Sequence, residues 1–175
     1  RPAMQAMAAQ PRLDEQVWPG LLAEWQAAGR KLIVAGLHPT DATLRQALST
    51  LAADPTVSVF ADVTANLHGL ANVPAHADSA LAVRDPAALA ALAPDLVVAF
   101  GGQVTSKALK TLLRTKPPKA LWHVYPGRVA PDTYQALTHA LPMQPAGFFA
   151  ELAARTPAAG SGCYQAAWRA QSAVA

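Results

Sequence analysis

Pro94-Asp95-Leu96-Val97-Val98-Ala99-Phe100-Gly101-Gly102-Gln103-Val104-Thr105-Ser106-Lys107-Ala108-Leu109-Lys110 is the stretch whose reading decides the fold. Five apolar residues without a polar interruption have the length and character of a strand buried on both faces. Two glycines break it, and Thr105-Ser106 then supplies hydroxyls suited to cap a helix that carries Lys107 in its first turn. A strand running through a glycine turn into a helix is half of a βαβ unit. In an open parallel sheet built from such units, ligands bind beyond the carboxyl ends of the strands. A helix start at that place offers free N–H groups and the positive end of a dipole. With Lys107 added, Thr105, Ser106 and Lys107 are a candidate site for a carboxylate; the competing reading is a solvated lysine after an ordinary cap.

The same alternation extends in both directions. Lys31–Gly36 (KLIVAG), Val57–Asp62 (VSVFAD) and Ala120–Tyr125 (ALWHVY) read as further strands. Helices are predicted from Asp14 to about Ala28, from Pro39-Thr40-Asp41 to Asp54, over Pro86–Leu92, Thr105–Arg114, Pro131–Ala140, Pro145–Ala154 and Cys163–Ala175. Leu141–Gln144 is a candidate edge strand, and Val63–Asp85 is a long loop of the kind that often carries function. Strand and helix in turn give an α/β fold: a Rossmann-like open parallel sheet of five or six strands with helices on both faces. Residues 1–13 read as a linker or arm, 14–156 as the domain, and 157–175 as a hinge and terminal helix leading on to a further domain. Tyr164 and Trp168, four apart, are expected to pack against a neighbour, and Trp18 and Trp25 to expose apolar surface.

Composition narrows the function. The chain has 175 residues, 52% of them hydrophobic and only 14% charged, well below the usual quarter. Such a surface is expected either where sister domains or subunits cover part of it or where the sequence is simply alanine-rich. The first residue is Arg1, which fits a piece of a longer protein. Net charge is +3, but the basic residues from Lys107 to Lys119 lack the interleaved aromatics of a single-strand binder, so nucleic acid is not an expected partner. Cys163 is the single cysteine. It excludes an internal disulfide and a cysteine zinc site, and it fits a reducing cytoplasm. No apolar run is long enough to span a bilayer.

Other chemistries find little footing. The first βα turn, Gly36-Leu37-His38-Pro39-Thr40, keeps one glycine of the dinucleotide fingerprint and has His38 where the backbone would approach a pyrophosphate. The stretch Gly101–Ala108 has Ser106 in place of the second Walker glycine and Ala108 in place of the magnesium-binding hydroxyl. His38, His68, His76, His123 and His139 form no ligand pair at helical spacing; His76-Ala77-Asp78 comes nearest, and loop hydrogen bonding is the commoner role. His123, beside Trp122 in a strand, reads as structural. Asp62, at a strand end, is either a ligand group or the cap of the turn that follows.

Several of these residues, in this order, carry a family resemblance. Trp25 ahead of Lys31–Gly36, Phe60-Ala61-Asp62 with Asn66-Leu67-His68, and Pro94-Asp95-Leu96 with Phe100-Gly101-Gly102 come first. Ser106-Lys107, Trp122-His123-Val124 and Asp132-Thr133-Tyr134 follow. Together they resemble the central domain of the thiamine-diphosphate enzyme of menaquinone biosynthesis, 2-succinyl-5-enolpyruvyl-6-hydroxy-3-cyclohexene-1-carboxylate synthase. The resemblance runs from about residue 14 to about residue 170. It implies a parent transferase that joins 2-oxoglutarate, after decarboxylation, to isochorismate. It also implies thiamine diphosphate and magnesium held between amino- and carboxyl-terminal domains lying outside this chain, no cofactor bound by this domain, and an oligomeric parent. The resemblance implies that a lysine just after a Thr-Gly or Ser turn reaches a substrate carboxylate, and the matching residue is Lys107. The alternative is a free-standing Rossmann-like module for a small ligand or nucleotide.

Overall fold

The computed structural model describes residues 12–70, 73–74, 77–82, 85–127, 131–157 and 160–173. Most of the expected arm, and with it Asn72, His76 and Arg128, lies outside the described residues. Five strands, β1 (Lys31–Ala35), β2 (Val57–Ala61), β3 (Leu96–Phe100), β4 (Ala120–Val124) and β5 (His139–Leu141), form one sheet in the order β2-β1-β3-β4-β5. Every neighbouring pair is parallel. Among the described residues six α-helices surround it: α1 (Trp18–Ala27), α2 (Ala42–Leu51), α3 (Pro86–Leu92), α4 (Lys107–Thr115), α5 (Pro145–Arg155) and α6 (Tyr164–Ser172). The Rossmann-like α/β architecture read from the sequence is the one observed.

Alternate residues of each strand feed two cores, as the pleat requires. Ile33, Val59, Val98, Trp122 and Val124 face α1, α2 and α5, where Trp18, Leu48, Phe148 and Phe149 are buried. Leu32, Val34, Phe60, Val97 and Leu121 face α3, α4 and α6, with Leu92, Leu109, Leu113 and Trp168. The central strands are therefore apolar on both sides, which is why LIVA (32–35) and LVVAF (96–100) read as unbroken hydrophobic runs.

Helix starts follow local chemistry. Asp41 accepts from the Leu44 N–H at 2.9 Å, Asp85 from Ala87 and Ala88, and Ser106 from Leu109 at 3.0 Å. The first helix begins later than expected. Asp14 accepts the Gln16 N–H and so closes a turn, and α1 starts at Trp18 with Pro19 in its first turn.

Three expectations need correction. Residues 131–140 do not form a helix. The Asp132 carboxylate accepts from the Ala136 and Leu137 N–H groups, Gln135 takes a left-handed φ of 59°, and the chain leaves that turn as β5. The edge strand accordingly lies at His139–Leu141 rather than 141–144. The third correction concerns the aromatic residues expected at the surface. Trp18, Trp25, Tyr164 and Trp168 are all buried within the chain's own cores. Trp18 stacks on Phe148 at 5.7 Å between ring centres, and Trp168 meets Phe60 edge-on at 6.2 Å. The terminal helix thus covers the chain's own sheet. Tyr164 fixes it there by donating from its hydroxyl to the Leu92 carbonyl at 2.9 Å. Tyr164→Phe should lower unfolding stability by about 1 kcal/mol, since it leaves a buried carbonyl without its donor; chemical denaturation reads this directly.

Candidate functional site

Strand order reverses between β1 and β3, so the loops leaving them, 36–41 and 101–106, flank the place where this architecture opens a crevice. Here the crevice is closed by backbone. The Gly36 N–H donates to the Phe100 carbonyl at 2.9 Å, and the Gly102 N–H donates to Leu37 at 2.8 Å. A Cβ at Gly36 would stand 2.1 Å from the Gly102 oxygen. Gly101 has a φ of +80°, open to glycine at little cost. A pyrophosphate has no cradle in this turn.

The open space lies one strand over. A cavity of about 550 Å³ sits beyond the carboxyl end of β2, with Asp62, Val63, His68, Asp78, Thr105 and Ser106 in its wall. Asp62 organises it. One carboxylate oxygen accepts from the Thr105 N–H at 2.7 Å and the Thr105 hydroxyl at 2.8 Å; the other accepts from the N–H and hydroxyl of Thr64. Burial by itself would raise this carboxyl, but the bonds from Thr105 and Thr64 outweigh it and hold the group below its ordinary value of 3.8. Burial and the Asp62 charge together push the nearby Tyr134 phenol upward. Ser106, buried, donates its hydroxyl to Asp78 while accepting from Leu109.

The three residues expected to hold a carboxylate therefore stand side by side at the start of α4, in unequal states. The Thr105 N–H and the Ser106 hydroxyl are already bound to carboxylates of the chain itself. Lys107 is exposed in the first turn of α4, just past the cavity wall. Asp62 is the cap of its turn and more: it ties the β2 loop to the β3 loop. Sequence reading missed Arg45, whose guanidinium donates to the carbonyls of Asn66 and His68 at 3.1 Å each and pins the loop that forms the cavity rim. Asn66, left-handed at φ 56°, donates to the His38 carbonyl. An Arg on a helix face carries no sign of such a role, whereas Asn in a loop is a residue that tolerates this conformation.

The histidines stay dispersed. Among the described residues no three His, Cys, Asp or Glu side chains gather as metal ligands. His123 is buried and donates from Nδ1 to the Pro131 carbonyl at 3.1 Å, and burial lowers its pKa. No described helix is long and apolar enough to cross a membrane.

No protein-family model matches the chain. Curated relatives do. The 2-succinyl-5-enolpyruvyl-6-hydroxy-3-cyclohexene-1-carboxylate synthase of Desulfotalea psychrophila is 36% identical over 156 residues, covering 87% of this chain and 28% of its own length. Those of Porphyromonas gingivalis and Flavobacterium johnsoniae are 34% and 32% identical over 148 and 133 residues, covering 82% and 75% of this chain and 24% of each relative. The chain spans about a quarter of the length of these relatives. It belongs, as one domain, to the 2-succinyl-5-enolpyruvyl-6-hydroxy-3-cyclohexene-1-carboxylate synthase family.

Proposed function

We propose that this chain is the central domain of a thiamine-diphosphate-dependent carboligase that joins 2-oxoglutarate and isochorismate in menaquinone biosynthesis. Residues 14–156 make the Rossmann-like body. Residues 157–175 complete it through α6 and carry the chain on toward a further domain. Thiamine diphosphate and magnesium belong to the amino- and carboxyl-terminal domains of the same protein, in an oligomeric parent, and this domain is inactive alone. Its own contribution is a scaffold and one wall of the substrate site.

The observation that carries this reading is the position of Lys107. It stands exposed on the first turn of a helix at the carboxyl end of a parallel sheet, next to a cavity, in a chain whose relatives bear the synthase name. Both substrates are polyanions, and a fixed ammonium there orients one carboxylate. Thr105 and Ser106 precede it and set its place through their bonds to Asp62 and Asp78. The closed crevice between β1 and β3 counts against a free-standing dinucleotide module.

The test is an assay of the complete protein with 2-oxoglutarate and isochorismate, with and without thiamine diphosphate and magnesium. Product formation that requires both cofactors supports the reading. Tight dinucleotide binding by the 175-residue chain alone, with no turnover by the complete protein, overturns it.

A further inference from the structure

At the opposite, amino-terminal end of the sheet lies a second cavity, of about 290 Å³, between α1, the start of β1, the turn before β2 and the end of α5. Two side chains of opposite charge line it, and both are buried: Lys31 is 5% exposed and Asp54 8%. Lysine and aspartate are seldom buried so far unless paired. These two are held apart by a hydroxyl. Lys31 Nζ donates to Thr56 Oγ1 at 2.7 Å, and that hydroxyl donates to Asp54 Oδ1 at 2.7 Å. The Thr56 N–H also ends on Asp54 Oδ1, at 2.8 Å.

Both charges keep bonding capacity toward the cavity. Of the three ammonium protons, Thr56 takes one, and the ammonium otherwise sits 5.4 Å over the Trp25 ring. Both bonds described for the Asp54 side chain fall on the same oxygen. Burial lowers the pKa of Lys31 even though the charges of Asp54 and Asp95 favour the ammonium. Gly160 packs directly against this carboxylate: a Cβ there would stand 2.2 Å from Asp54 Oδ1.

A simple anion entering here gains Lys31 and meets Asp54; a simple cation gains Asp54 and meets Lys31. A molecule with both charges on neighbouring atoms satisfies both. We propose that this cavity binds a small zwitterionic α-amino acid, its carboxylate on Lys31, its ammonium on Asp54 and its side chain against Trp25. The volume equals that of roughly ten waters, which admits a small amino acid such as alanine with room to spare.

The experiment is a titration of the isotopically labelled chain with L-alanine, followed by the Trp25 indole N–H and the Gly160 amide in proton–nitrogen spectra. Propionate and ethylammonium serve as single-charge controls. Alanine is expected to give saturable shifts at about millimolar concentration, with each control at least about tenfold weaker. Lys31→Met should abolish the response; because it strands the buried Asp54 carboxylate and so lowers the melting temperature, the double variant Lys31→Met/Asp54→Asn, which removes both charges, serves as the folded control and should also give no response. Asp54→Asn should weaken alanine and leave propionate unaffected or tighter. Absence of saturable shifts with alanine, equal affinity for alanine and propionate, or retained binding in Lys31→Met each overturns the proposal.

Discussion

Gly36→Ala is expected to destabilise the chain by about 3 kcal/mol, at the upper end for forcing one extra carbon into a packed region. The new Cβ would lie 2.1 Å from the Gly102 oxygen and 2.9 Å from its carbonyl carbon. The obstacle is backbone, so no side-chain rotation relieves it. Relief requires the loops after β1 and β3 to part, which breaks the Gly36 to Phe100 and Gly102 to Leu37 hydrogen bonds. Urea denaturation should show a lower midpoint with an unchanged slope. Gly20 supplies the control. It sits in α1 with nothing within 4 Å of a built Cβ, so Gly20→Ala should stabilise by about 0.5–1 kcal/mol through helix propensity alone. A mild effect at Gly36 would show that the two loops are not zipped together and that the crevice can open.

Asp62→Ala should cost a comparable amount, about 3 kcal/mol. It removes four hydrogen bonds to one carboxylate and strands two backbone donors, those of Thr64 and Thr105. Thr105 is 43 residues away in the chain, so the change also unties the β3 loop that presents Lys107. Asp62→Asn retains one acceptor oxygen and should fall between wild type and Ala. The pH dependence separates charge from shape. The folded pKa of Asp62 lies below its ordinary 3.8. Its stabilisation is therefore complete above that ordinary value and is lost as pH falls through the lower folded value. Asp95 acts in the same direction. Burial opposes the shift, but the bond and charge of Arg30 hold its carboxyl low. Stability followed from about pH 5 to pH 2 should thus fall less steeply in Asp62→Asn than in wild type, with the Asp95 share of the slope remaining.

How far the sequence discloses the molecule depends on the range of each interaction. β1 and β3 are legible because burial on both faces leaves unbroken apolar runs, and the start of α4 because Ser106 caps it three residues ahead of Leu109. Residues 131–140 mislead because Pro131-Asp132 is a good helix opening, while the signal that overrides it is the pairing of His139 with Trp122 on a distant strand. Tyr164 and Trp168 show an apolar stripe but not which surface it covers, and that surface is the chain's own sheet. Lys107 was legible as a charged residue at a helix start. The bonds of Asp62 to Thr105 and of Ser106 to Asp78 were not, since nothing local in either partner announces the other. The same holds for Lys31 and Thr56, a lysine inside an apolar run and a threonine in a turn.

The central claim is that this domain lends Lys107 to a substrate carboxylate, and steady-state kinetics of Lys107→Ala in the complete enzyme test it most directly. An exposed lysine on a first turn can be removed without disturbing the fold, so the melting temperature should stay as in wild type. KM for 2-oxoglutarate or for isochorismate should rise several-fold, with kcat changed far less, because the lost contact orients a bound substrate. Lys107→Arg should recover part of the loss by keeping the charge. Unchanged KM values for both substrates in a folded Lys107→Ala enzyme would contradict the account.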